Sequence, residues 1–171
     1  KIAKAAAVNA SNTKAFTAAA LAILVDEGKI SWRGKVQNYL ADFKLHDPWV
    51  SKQFNLIDLL THRSGFGLGA GDLMLWPEPS SFTRQEVLHN LRYLKPVGEF
   101  RSDYAYDNLL YIVAGEVIPA VSGVSWEDFV EQQIMQPLGM KHCFAGAVSQ
   151  QKQEDVVTPH GFVDGKLQTI I

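Results

Sequence analysis

Ser11-Asn-Thr-Lys14 sets a hydroxyl and an amine three residues apart. On a helix, residues at that spacing share a face and their side chains can touch. A serine hydroxyl is a weak nucleophile until a nearby base takes its proton. A lysine can be that base once burial or a neighbouring positive charge favours its neutral form. The free N–H groups at a helix start also favour the negative charge that grows on an attacked carbonyl oxygen. The same residues also read as plain structure, with Ser11 an N-cap and Lys14 a solvated first-turn residue. The S-x-x-K spacing arises often by chance, and alone it favours the cap.

A second candidate is Tyr106-Asp-Asn108 inside "FRSDYAYDNLLYIVAGEVI". A tyrosine whose pKa is lowered by a nearby lysine can carry a proton to a leaving group. An asparagine two residues on can hold a substrate amide, or the lysine itself, through its carbonyl oxygen and NH2. The structural alternative makes Tyr106 a half-buried aromatic and Asn108 an N-cap. Tyr104, two residues earlier, leaves the register open. Metal chemistry finds little support. The five histidines (His46, His62, His89, His142, His160) lie far apart, with no H-E-x-x-H and no i,i+4 pair. Cys143 is the only cysteine, so no internal disulfide forms, and it reads as a small buried hydrophobe near a loop. No cofactor is implied.

These residues need elements to hold them. The chain has 171 residues, 47% hydrophobic and 20% charged, with a formal net charge of −2. That suits one globular domain with a real core. The basic residues are scattered, which argues against a nucleic-acid surface. The longest apolar run, Ala15 to Val25, is too short to span a bilayer. No cationic-then-apolar leader is visible at Lys1, although a processed or truncated chain would start the same way. A helix is expected over about Asn12 to Glu27, with Phe16, Ala19, Ala20, Ile23 and Leu24 on one apolar stripe and Gly28 as its C′ residue. A short helix follows over Leu56 to His62, then a glycine-rich ordered loop from Gly65 to Pro79. Thr83-Arg-Gln-Glu86 is a capping-box pattern, and Pro96 closes that helix. A helix over Asn108 to Val121 is expected to kink or end at Pro119. Ser125 caps a helix running to about Met135, stopped by Pro137 and Gly139. Asp164-Gly165 reads as a two-residue hairpin turn between two short strands.

The ordered set Ser11-Asn-Thr-Lys14, "LLTHRSGFG" at Leu59 to Gly67, and Tyr106-Asp-Asn108 resembles the serine β-lactamase-related family. That family includes class C β-lactamases, D-alanyl-D-alanine carboxypeptidases, D-aminopeptidases and related esterases. "AFTAAALAILVDEGKISW" and "VIPAVSGVSWEDFVEQQIMQPLGM" read like it too, and the likeness extends from about Ala7 onward. The resemblance implies Ser11 as the acylated nucleophile and Lys14 as its base. It implies Tyr106 as the proton relay and Asn108 as the residue that orients substrate and Lys14. The backbone N–H of Ser11 would form part of the oxyanion hole. His62, in the "LLTHRSG" landmark, reads as structural. The implied substrate is a small molecule or peptide: a β-lactam, a D-amino peptide or a short-chain ester. A periplasmic or secreted location rests on the resemblance alone.

Two departures stand out. Asp107 fills the middle of Y-x-N, where many relatives carry Ser or Ala, and it is expected to face solvent. The family's third motif, K-T-G or H-x-G on a late strand, is not found; His160-Gly161 lacks its context. The strands before the S-x-x-K helix are also missing. The expected fold is therefore α+β, a β-lactamase/transpeptidase-like fold. Residues 1–171 would form a single partial domain, the helical region plus the nucleophile helix without most of the antiparallel sheet. The stripe with Phe16 and Ile23 would then need cover from a homo-oligomer mate or the remainder of a longer protein. The competing function is a non-catalytic helical fragment or assembly module. Trp76, Tyr93 and Trp126 are candidates for an acyl pocket, though aromatics near loops more often pack.

Overall fold

The structure, a computed structural model, describes residues 10–76, 80–141, 143–146 and 160–169. Pro77 to Pro79 of the expected loop, and His142, lie outside them. A single 3-10 turn, Ala10–Asn12, leads into α1 (Thr13–Asp26). Then come α2 (Pro48–Gln53), α3 (Leu56–Leu60), α4 (Arg84–Asn90), α5 (Leu109–Ser122) and α6 (Trp126–Val130). The strands β1 (His160–Val163) and β2 (Lys166–Thr169) close the order.

Helix α5 is the hub, and α1, α3, α4 and α6 all pack against it. It buries Leu109, Leu110, Val113, Ala114, Val117 and Ile118. That apolar band explains why α5 together with the segment Trp126–Met135 matches a membrane span in length and composition. They are bent by 82°, and among the described residues no single helix is long and apolar enough to cross a membrane. Pro119 does not end α5, which continues to Ser122. The proline sits in the last turn, where it removes one helix bond. Gly123, at φ 73°, caps the end by donating to Pro119 O at 2.9 Å.

Helix α1 ends as expected. Gly28 (φ 71°) donates to Val25 O at 2.9 Å, and Lys29 donates to Leu24 O at 3.0 Å. Its buried seam is Thr17, Ala20, Leu21 and Leu24, rotated from the expected stripe. Ala19 is exposed, and Phe16 and Ile23 are half-buried. A helix apolar on most sides offers several equivalent seams, so the partners choose.

The capping box at Thr83/Glu86 forms, and α4 stops at Asn90 before a 3-10 turn, well ahead of Pro96. Helix α6 is short and widens into a π turn over Glu131–Met135. Cys143 is exposed, contrary to expectation. Its N–H closes a turn onto Met140 O at 3.1 Å, which leaves its side chain at the surface. The hairpin pairs Val163 with Lys166, and Asp164 (φ 50°) and Gly165 (φ 73°) form the turn as expected. Trp76 and Tyr93 are exposed, while Trp126 packs on the core and donates Nε1–H to Thr17 Oγ1 at 3.1 Å.

Candidate active site

Ser11 does not cap α1. Its side chain turns instead toward the loop before α5, where Ser11 Oγ lies 2.6 Å from Tyr106 Oη. Lys14 Nζ donates to Ser11 Oγ at 3.4 Å and to Asn108 Oδ1 at 2.8 Å. It also sits over the rings of Tyr106 and Tyr111, 4.8 and 5.4 Å from their centroids. The four residues singled out from the sequence therefore meet at one point, although 92 to 97 positions separate the two pairs along the chain. The hydrogen bonds from Lys14 and Ser11 lower the pKa of the Tyr106 phenol. A phenol so placed gives up its proton more readily.

Two loops hold the cluster. The segment after α3 and the segment before α5 are laced by backbone bonds. Ala105 N–H donates to His62 O at 2.9 Å, Arg101 N–H to Arg63 O at 2.8 Å, and Gly69 N–H to Tyr106 O at 3.0 Å. Val97 and Gly98 both donate to Gly65 O, at 2.9 and 3.0 Å. Gly65 is required there: its φ is 88°, and a Cβ would stand 2.7 Å from Gly98 O. His62 (φ 56°) and Arg101 (φ 66°) also occupy the left-handed region, which costs a side-chain-bearing residue about 1 kcal/mol or more. The lacing sustains that strain. Arg101 adds a fork onto buried Asp58, with Nε to Oδ1 and Nη2 to Oδ2 both at 2.7 Å. Asp58 in turn forms a capping box with Asn55 at the start of α3.

Around this frame are residues whose part the sequence did not disclose. Asp72 accepts from Asn108 Nδ2 at 3.1 Å through both carboxylate oxygens. That bond fixes the amide so that Oδ1 faces Lys14. His62 stacks on Tyr106 with centroids 4.5 Å apart. Its Nδ1 accepts from Asp107 N–H at 3.1 Å, so the neutral ring carries its proton on Nε2. Burial, then the Lys14 charge, lowers its pKa, consistent with that form. Tyr111 donates to Leu60 O at 3.0 Å and closes the aromatic wall. Asp107 is fully buried, not solvent-facing. Its Oδ1 accepts from Leu110 N–H at 3.1 Å, so Asp107 caps α5 from inside and Asn108 is free to face Lys14. A D-x-x-L pattern ahead of an apolar helix was the available signal for that cap.

A family model described as Beta-lactamase matches residues 5–168. The chain belongs to the beta-lactamase family. It is 35% identical over 140 residues to an unguisins hydrolase of Aspergillus campestris, covering 76% of this chain and 25% of that protein. It is 30% identical over 141 residues to an N-acetylmuramyl-L-alanine amidase of Bacillus subtilis, covering 78% of this chain and 32% of that one. Among solved structures, the octameric penicillin-binding protein homologue from Pyrococcus abyssi superposes with a TM-score of 0.73 at 28% identity. That match covers 92% of this chain and 37% of the other. This beta-lactamase-family chain thus spans about a quarter to a third of the length of the curated relatives it matches. Its helices are those of the β-lactamase/transpeptidase-like fold, and the short hairpin is the only sheet among the described residues.

Proposed function

We propose that this chain carries the catalytic centre of a serine hydrolase that works through an acyl-enzyme. The observation that carries the reading is the Ser11–Tyr106 contact of 2.6 Å with Lys14 bridging to Asn108. Ser11 Oγ attacks the acyl carbon while its proton passes to the neutral amine of Lys14, which serves as the base. As the bond breaks, the leaving nitrogen or oxygen takes the phenolic proton of Tyr106, and Tyr106 recovers a proton from Lys14 through the contacts that join the two to Ser11. Water then attacks the Ser11 ester, activated by the same pair, and Ser11 regains its proton. Asn108 and Asp72 keep Lys14 aimed at Ser11. The substrate is an acyl compound of the family's kind: a β-lactam, a D-amino peptide or a short-chain ester. An amidase among the relatives supports the amide members of that set.

Labelling tests this. A fluorophosphonate or a labelled penicillin is expected to add its acyl or phosphonyl mass at Ser11 of the full-length protein. Ser11→Ala abolishes the adduct, and Tyr106→Phe slows turnover about 10²- to 10⁴-fold. An adduct that persists in Ser11→Ala sinks the proposal. Comparing nitrocefin, a D-alanyl anilide and p-nitrophenyl acetate sorts the substrate classes. One observation favours the competing reading of a non-catalytic module: no third-motif strand lies among the described residues. Turnover by residues 1–171 alone that vanishes in Lys14→Ala would exclude it.

A further inference from the structure

A separate pocket of about 340 Å3 is lined by Arg33, Asn55, Ile57, Asp58, Thr61, Arg63 and Arg101. None of Ser11, Lys14, Tyr106 or Asn108 borders it. Three guanidinium groups stand there against one carboxylate. Both oxygens of that carboxylate are already engaged. Asp58 Oδ1 accepts from Arg101 Nε at 2.7 Å, and Oδ2 accepts from Arg101 Nη2 at 2.7 Å and from Asn55 N–H at 2.9 Å. The donors are not saturated. Arg33 makes no ion pair or side-chain hydrogen bond among the described residues, and it is exposed. Arg63 spends Nη2 on the carbonyls of Arg101 and Ser102, which leaves Nε and Nη1. Asn55 spends its Oδ1 on Asp58 N–H at 3.1 Å, which leaves its NH2.

The backbone that carries these groups is also held in place. Ile57 N–H and Leu56 N–H donate to Trp32 O and Gly34 O, both at 3.3 Å, so the backbone around Arg33 is pinned to the start of α3. Arg63 and Arg101 are pinned by the bonds just described. A concavity with surplus N–H donors, whose one carboxylate is engaged on both oxygens, is complementary to an oxyanion, which offers acceptors only.

We propose that this pocket binds an oxyanionic ligand, a phosphate or carboxylate group on a small molecule, with Arg33 and Arg63 as its main contacts. Asn55 and Thr61 supply neutral donors, and Arg101, neutralised by Asp58, forms the floor. Because Thr61 and Arg63 flank His62, the ligand would stiffen the loop that stacks on Tyr106.

Calorimetric titration of the full-length protein, at ionic strength held constant with chloride, tests the site. Inorganic phosphate and glutarate are used in separate arms. Saturable binding is expected in at least one arm, and the arm identifies the source of the oxyanion. Arg33→Ala is expected to weaken it about tenfold or more, the scale of losing a charge-assisted hydrogen bond. Arg33 is exposed and without a side-chain partner, so this variant keeps the fold; a matching melting curve checks that. Lys14→Ala is expected to leave binding intact. No saturable binding in either arm overturns the proposal. So does unchanged affinity in Arg33→Ala, or loss in Lys14→Ala, which would move the anion to the Ser11 cluster.

Discussion

Asp107 stands between the two polar residues that meet Lys14 and Ser11, yet its own carboxylate reaches neither. It is fully buried, Oδ1 is occupied by Leu110 N–H, and Oδ2 has no hydrogen-bond partner among the described residues. Burial raises its pKa from 3.8 to about 6, with Asp72 adding to the rise, while the N–H groups of Leu110 and Leu109 and the Lys14 charge oppose it. The folded state therefore holds this proton more tightly than the unfolded chain between those two values. Stability from this group is present below about pH 4 and is lost as pH rises through about 6. Asp107→Asn keeps an acceptor for the cap and removes the buried charge. It is expected to stabilise the protein by about 1–3 kcal/mol at pH 8 and to give little gain at pH 4. Denaturant melts of both proteins across that range check it; parallel pH profiles would refute the account. Ser11, Lys14, Tyr106 and Asn108 were legible because each pair is local in sequence and their motifs occur in order. Asp107's burial and Asp72's bond to Asn108 were not, since both depend on contacts made only after the loops fold together.

At the scale of elements, the site depends on a tie between α3 and the segment before α5. Asp58 is shared by the two: it caps α3 with Asn55 and receives the Arg101 fork. Asp58→Asn keeps the size and the cap acceptor but replaces one charge-assisted oxygen by an amide that faces the guanidinium. The expected cost is about 1–3 kcal/mol, because Asp58 is buried and its partner stays charged. The same change should slow Ser11 labelling, since Arg101 anchors the strained segment that leads to Tyr106. Melting curves and labelling rates measured together distinguish this from a simple loss of stability, for which the rate would recover on cooling. Elements set by neighbours in sequence were read correctly: the Thr83/Glu86 box, Gly28, and the Asp164-Gly165 turn. Those set by packing were not. The seam of α1 is chosen by α5 and α6, and the π widening after α6 has no local sequence signal.

At the scale of the whole molecule, the outer side of α1 is the feature that calls for a partner. Between Thr13 and Asp26 the only charged residues are Lys14 and Asp26, at the two ends. Ala15 and Ala19 are exposed, and Phe16, Ala18, Ala22 and Ile23 are half-buried. A helix side left to water ordinarily carries charges. A smooth, alanine-rich side suits close approach by another layer of structure, and packed layers are how helices bury such a face. The chain spans only about a quarter to a third of its curated relatives, and the remaining length of those relatives is ample to supply such a layer. Ala19→Glu separates the two situations. In residues 1–171 expressed alone, the new carboxylate meets water, and the change in stability should stay within about 0.5 kcal/mol. In a longer protein whose further sequence covers α1, the same carboxylate would be buried without a partner, at a cost of about 3 kcal/mol or more. Parallel denaturant melts of the two proteins read the difference directly. Equal small effects in both would mean that the outer side of α1 stays open to solvent, and that the helix bearing Ser11 and Lys14 is positioned by α5 and α6 alone.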